Sequence, residues 1–158
     1  MRARSARRRP SRSGGRVNPS PPEDPAAALN QVLNEVIDAL LDVRQASRRV
    51  PGTQALHGML DQLFADLRSW AQLLADTDQA LGVSPLASMP SGSARPPSNH
   101  WYGAASSEEI RRIVGEHLDR LAGQLSAALA QQQDDKVRAA LTEVQQGVQA
   151  YQRALSEF

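Results

Sequence analysis

Residues 56–85 read LHGMLDQLFADLRSWAQLLADTDQALGVSP. Apolar side chains recur at Leu56, Met59, Leu60, Leu63, Phe64, Leu67, Trp70 and Leu74. This is the 3.6-residue period of a long helix with one face in a core. Leu81-Gly82 and then Pro85 close it, because glycine suits the residue just past a helix and proline cannot continue one. Beside the apolar stripe runs a polar one. His57 and Asp61 are one turn apart, and Gln72 and Asp76 repeat that spacing further along.

The chain before this stretch predicts a second helix. Asp24 is a good N-cap and Pro25 is pre-shaped for the first helical position. Leu29, Val32, Leu33, Val36, Ile37, Leu40 and Leu41 form its apolar stripe, and Gln31, Asn34, Glu35, Asp38 and Asp42 are read as the opposite, polar face. It is expected to run to about Arg49 and to stop at Pro51-Gly52, with Thr53 capping the helix that follows.

After the long helix, residues 83–105 carry four prolines and several serines and glycines, which excludes a continuous regular element and predicts a long crossover. His100, Trp101 and Tyr102 lie in it, either anchoring the loop on the helices or forming a ligand-stacking patch. Ser106-Ser107-Glu108-Glu109 is a capping box opening a third helix with the stripe Ile110, Ile113, Val114, Leu118, Leu121, Leu125 and Leu129. His117, beside that stripe, reads as a packing or surface histidine. A break at Gln131–Asp135, where either aspartate can cap, leads to a fourth helix with its seam at Val137, Leu141, Val144, Val148, Tyr151 and Leu155. The expectation is an all-α, ferritin-like four-helix bundle over 24–158, with the crossover between the second and third helices.

Composition narrows the function. The 158 residues contain no cysteine, which excludes disulfides, a thiol nucleophile and thiolate metal sites. No apolar run approaches the length of a membrane span, and no P-loop, Ser/His/Asp triad or zinc motif is present. The net charge of +1 hides an asymmetry. Seven arginines (Arg2, Arg4, Arg7, Arg8, Arg9, Arg12 and Arg16) precede residue 17 without one acid, leaving 11 basic against 17 acidic residues in 17–158. Residues 1–23 therefore read as a disordered, polyanion-seeking tail that contacts nucleic acid through phosphates; a solubilising tail or an organelle transit peptide is the alternative.

Leu29-Asn30, Asp38, Gln45-Ala46, Gly52, Leu56-His57, Asp61, Leu81-Gly82 and Pro85 occur in an order, LN-x₇-D-x₆-QA then glycine, LHxxLD and LGxxP, that resembles the Dps family. These are the mini-ferritins named as DNA-binding proteins from starved cells. The resemblance covers about residues 27–158 and is strongest over the first two helices. It implies a cytoplasmic, nucleoid-associated homododecamer, a hollow shell that oxidises and stores iron and in many members coats DNA through a charged N-terminal tail. It also implies an iron centre shared between two subunits, with two histidines and an aspartate from one and an aspartate and a glutamate from the other. Carried over, Ser47 stands where the family's QAHWN segment has the first histidine. His57 and Asp61 are the second histidine and its aspartate. Gln72 replaces the facing aspartate, and Asp76 stands for the glutamate. The metal-ligand set read from the resemblance is thus His57, Asp61 and Asp76. Losing an imidazole and a carboxylate, with Arg48 and Arg49 close by in sequence, lowers the attraction for a cation. Three functions follow as expectations: a DNA-binding, protective shell with reduced or lost iron oxidation; a working mini-ferritin; or a helical partner protein with neither role.

Overall fold

Two side chains fix where the last two helices begin. Ser106 Oγ accepts the Glu109 amide at 3.1 Å, and Asp134 accepts the amides of Lys136 and Val137 at 2.9 and 3.1 Å. Each satisfies donors that a helix N-terminus otherwise leaves unpaired. In the computed structural model, which describes residues 25–50, 54–82 and 106–158, four helices form: α1 (Pro25–Ser47), α2 (Gln54–Ala80), α3 (Ser107–Gln131) and α4 (Asp135–Ser156). Pro25 is the first helical residue of α1, as its fixed φ favours. Gly82 takes φ +79° just beyond α2, the left-handed conformation that makes glycine the natural terminator. The expected caps Asp24 and Thr53, the stop at Pro51-Gly52, the crossover with His100, Trp101 and Tyr102, and all seven N-terminal arginines lie outside the described residues.

The residue pairs across each seam give the topology. Ser47 meets Asp61 and Arg44 meets Phe64, so α1 and α2 are antiparallel. Asp42 meets His117 while Glu35 meets Arg120 and Gln124, so α1 and α3 are antiparallel too. Asp66–Tyr151 and Trp70–Gly147 give the same sense for α2 and α4, and Asp119–Gln152 and Ser126–Gln145 for α3 and α4. Each helix therefore lies between two antiparallel neighbours, and the diagonal pairs α1/α4 and α2/α3 are parallel. This is the expected all-α bundle.

The apolar stripes meet in one core. Leu29, Leu56, Leu60, Leu63, Leu67, Leu74, Ile110, Leu118, Leu121 and Leu125 are fully or almost fully buried, and Val137, Leu141, Val144 and Val148 complete it from α4. Burying each such side chain is worth about 1.5–3 kcal/mol. Two expectations for α1 are corrected. Leu41, placed in the apolar stripe, is 55% exposed, whereas Glu35 and Asp42, placed on the polar face, are buried. A single amphipathic stripe assumes one packing partner. Helix α1 has two, so its buried arc widens towards α3 and turns Leu41 outward.

At the α2–α4 seam the helices approach closely. A Cβ on Gly147 would overlap the indole of Trp70, which stands edge-on to Tyr151 at a centroid distance of 6.2 Å. Gly147→Ala is therefore expected to destabilise the fold by about 1–3 kcal/mol through overpacking, despite alanine's better helix propensity. Urea denaturation checks this; an unchanged midpoint would mean that the indole can move aside.

Candidate functional site

Where α1 ends and α2 begins, the antiparallel packing brings three sequence-predicted residues together. Ser47, buried at the last position of α1, donates its hydroxyl hydrogen to Asp61 Oδ1. The other carboxylate oxygen, Oδ2, lies 3.1 Å from His57 Nδ1, one turn back on α2. Asp61 is thus held on both sides. Its contact with Nδ1 fixes the imidazole orientation and leaves Nε2 as the free ring nitrogen, the relation that a carboxylate bears to a metal-binding histidine. His57 and Asp61 side chains are about half exposed, at 50% and 54%. Arg48 and Arg49 are exposed at the adjoining end of α1, and Arg44 lies 4.8 Å over the Phe64 ring, a cation–π contact.

Gln72 and Asp76 form a second pair on the exposed face of α2, with Gln72 Nε2 donating to Asp76 Oδ1 at 2.7 Å. Fifteen residues separate Asp61 from Asp76, about 22 Å along one helix. A single chain therefore gathers Ser47, His57 and Asp61 but not Asp76. Among the described residues no three His, Asp or Glu side chains converge as a metal-binding group. Of the positions the resemblance implies, Ser47 and Gln72 offer a neutral hydroxyl and a neutral amide where it calls for an imidazole and a carboxylate, and the Asp61 carboxylate is paired on both oxygens. Asp76 instead borders a cleft of about 560 Å³ between the C-terminal end of α2 and the first turn of α4, shared with Asp134, Asp135 and Lys136.

The densest group of titratable side chains is one that sequence reading missed. His117, 4% exposed on α3, places Nε2 at 2.5 Å from Asp42 Oδ2 and Nδ1 at 3.9 Å from Glu35 Oε1. Arg120 Nη2 lies 2.7 Å from His117 Nδ1, and its Nε donates to Glu35 Oε1 at 3.3 Å. Gln124 donates to Glu35 Oε2 at 3.4 Å. The sequence neighbours Glu116 and Asp119 are occupied elsewhere, by Arg112 and Gln152. Burial works against a charged imidazole, but Asp42 and Glu35 outweigh it, and the His117 pKa is raised. The Glu35 carboxyl is held below its usual range, first by His117, against its own burial, and with help from Arg120. His117 is therefore a packing residue with charged partners, all supplied across the α1–α3 seam or one turn along α3. The available signal was Glu35 and Asp42, seven residues apart on α1, together with His117 and Arg120 three apart on α3.

At the opposite seam Tyr151 donates to Asp66 Oδ2 at 2.5 Å, and burial together with that carboxylate pushes the phenol well above its ordinary value. No described helix is long and apolar enough to cross a membrane.

No protein-family model matches the chain, and no curated protein matches it by sequence. Solved structures do. Dps from Microbacterium arborescens in its high-iron form superposes with a TM-score of 0.68 at 22% identity, over 84% of this chain and 93% of that one. A two-domain protein from Anabaena variabilis, with DJ-1/ThiJ/PfpI-like and ferritin-like domains, gives a TM-score of 0.68 at 14% identity. That match covers 87% of this chain and 36% of the other, so the chain spans about a third of that protein's length. The fold is the ferritin-like four-helix bundle found in Dps.

Proposed function

We propose that this chain is a Dps-like, DNA-binding shell protein whose iron oxidation is reduced or lost. The observation that carries the second half is the Ser47–Asp61 hydrogen bond. At the position where the resemblance calls for a histidine, a serine hydroxyl engages the carboxylate that iron would need. The first half rests on the seven arginines before residue 17, which suit duplex phosphates rather than base edges. Assembly into a homo-oligomer, a dodecamer by the resemblance, would let many weak arginine segments act together. Cytoplasmic, nucleoid-associated localisation follows from the same reading.

The test of DNA binding is electrophoretic retardation of duplex DNA by the full chain and by residues 17–158, with particle mass measured by light scattering. Retardation that survives removal of the arginines overturns the DNA half of the proposal. A monomeric or dimeric mass overturns the shell.

The alternative reading, a working mini-ferritin, is favoured by the carboxylate-oriented imidazole of His57. Anaerobic Fe(II) loading followed by oxygen separates the two. Ferric absorbance should rise no faster than in buffer if the centre is lost, and rapidly, with slowing in His57→Ala, if it works. Under the proposal, the double substitution Ser47→His with Gln72→Asp is expected to accelerate ferric formation by roughly tenfold or more, since even outer-shell partners of a metal are worth 10–100-fold. No acceleration in a correctly assembled particle would show that these two positions are not the missing ligands.

A further inference from the structure

We infer that the cleft between the end of α2 and the start of α4 is a docking site for the chain's own arginine-rich segment, residues 1–16, and that this cleft and DNA compete for the same guanidinium groups. The competition rests on the DNA-binding reading; the docking does not. Topology places the two parts together. Because α1 is antiparallel to α2, and α2 to α4, Pro25 lies at the same end of the bundle as Ala80 and Asp135. Arg16 precedes Pro25 by nine residues, a reach of about 30 Å when extended. Neighbouring helix axes are about 8–10 Å apart, so the α2–α4 seam is well within that reach. The other segment that leaves this end, residues 83–105, has one basic residue, Arg95, against the seven arginines of 1–16.

The cleft suits guanidinium groups. Its volume of about 560 Å³ falls within the range of about 300–1,000 Å³ usual for ligand clefts. Leu73, Leu81 and Val137 supply apolar lining, and Asp76, Asp134 and Asp135 supply three carboxylates against one ammonium, that of Lys136. Asp76 Oδ1 accepts Gln72 and Asp134 Oδ1 accepts two backbone amides, which leaves Oδ2 of each able to accept from an arginine. Helix α2 brings no counter-charge, since its last turn has no basic residue. Arg138 is held elsewhere, by the carbonyls of Leu129 and Gln132. An arginine matches both halves of this lining: its planar head forks onto carboxylates while its stem packs on apolar side chains.

A single surface ion pair is weak. Here the segment is tethered beside its site, so its effective concentration is on the order of millimolar and a few weak pairs suffice to hold it. Phosphates must then displace the cleft carboxylates before the arginines are available, and the free chain binds DNA more weakly than its count of arginines implies.

The sequence contains no cysteine, so a nitroxide on Ser13→Cys reports on the segment alone. In the full chain, at low salt and without DNA, its electron paramagnetic resonance spectrum should carry a slow component. Asp76→Asn with Asp135→Asn should release it. Glu108→Gln with Glu157→Gln, the same charge change on exposed residues at the opposite end of the bundle, should not. A second nitroxide on Gln79→Cys, exposed at the end of α2, should lie at a short, narrowly distributed distance from the first in particles diluted with unlabelled chain. Salt at about 1 M, where the screening length is about 3 Å, should abolish both signals. A label equally fast in every variant, a slow component that the cleft substitutions leave in place, or a broad distance distribution overturns the docking. The distance measurement needs no charge substitution, so it decides the matter even if the cleft variant does not fold. In DNA retardation the cleft variant should act at a severalfold lower protein concentration than the opposite-end variant; equal concentrations overturn the competition. A full chain that docks its arginines yet retards no DNA overturns the DNA-binding reading and leaves the cleft assignment standing.

Discussion

Deleting residues 1–16 is expected to abolish retardation of duplex DNA while leaving the helical content of the protein unchanged. The deletion removes seven positive charges and no negative ones, and residues 17–158 carry 11 basic against 17 acidic side chains. An acidic body without the arginines repels the phosphate backbone. If all seven arginines contact phosphates, the affinity of one chain should fall with salt at a slope of about −6, or roughly 10³–10⁴-fold between 50 and 200 mM. Several chains in one particle steepen this further, because each added segment binds at high effective concentration. Retardation of the full chain and the deletion variant at several salt concentrations measures both the loss and the slope. A slope near zero for the full chain would mean that the arginines do not carry the binding.

The second large effect is on stability. His117→Ala is expected to cost about 3–5 kcal/mol, the usual result of removing one member of a buried ionic group and leaving the others uncompensated. Asp42 loses its 2.5 Å partner, and Arg120 loses the ring that anchors it beside Glu35. Urea denaturation at constant pH reads this directly; a cost below about 1 kcal/mol would mean that the seam closes over the gap or admits water. The wild-type pH dependence carries a matching signature. His117 has a raised pKa, so its contribution is fully present below the unfolded histidine value of about 6.5 and is lost as pH rises through the folded value. Glu35 has a lowered pKa, so its contribution is present above its unfolded value and is lost as pH falls through the folded one. Stability should therefore be highest in weakly acidic solution and decline in both directions. His117→Ala should flatten the alkaline side.

Much of the bundle was legible because a helix writes its period into local sequence. The stripe from Leu56 to Leu74 and the caps at Ser106 and Asp134 depend on neighbours within a few residues. The grouping of Ser47 with His57 and Asp61 was implied by the family resemblance rather than by the helix pattern; in the structure Ser47 meets Asp61 across the α1–α2 seam. The α1–α3 cluster was not legible. Glu35 and Arg120 are 85 residues apart, and nothing in the sequence states which flank of α1 faces α3. A glutamate on the rim of an apolar stripe reads as solvated until a second helix covers it, and an exposed Leu41 reads as core for the same reason. Gly147 is another such case: its lack of a side chain acquires meaning only beside Trp70.

The alternation of helix directions has a consequence for how this protein can attract anions. Helix macrodipoles place partial positive charge at N-termini and partial negative charge at C-termini. With every neighbour antiparallel, each end of the bundle presents two N-termini and two C-termini, and the fields cancel within a few ångströms of the surface. The helix ends of the scaffold therefore add little to the attraction of a polyanion. Under the proposed reading the pull on phosphate is assigned to the guanidinium groups before residue 17, and on that reading it could be added or removed there without altering the bundle.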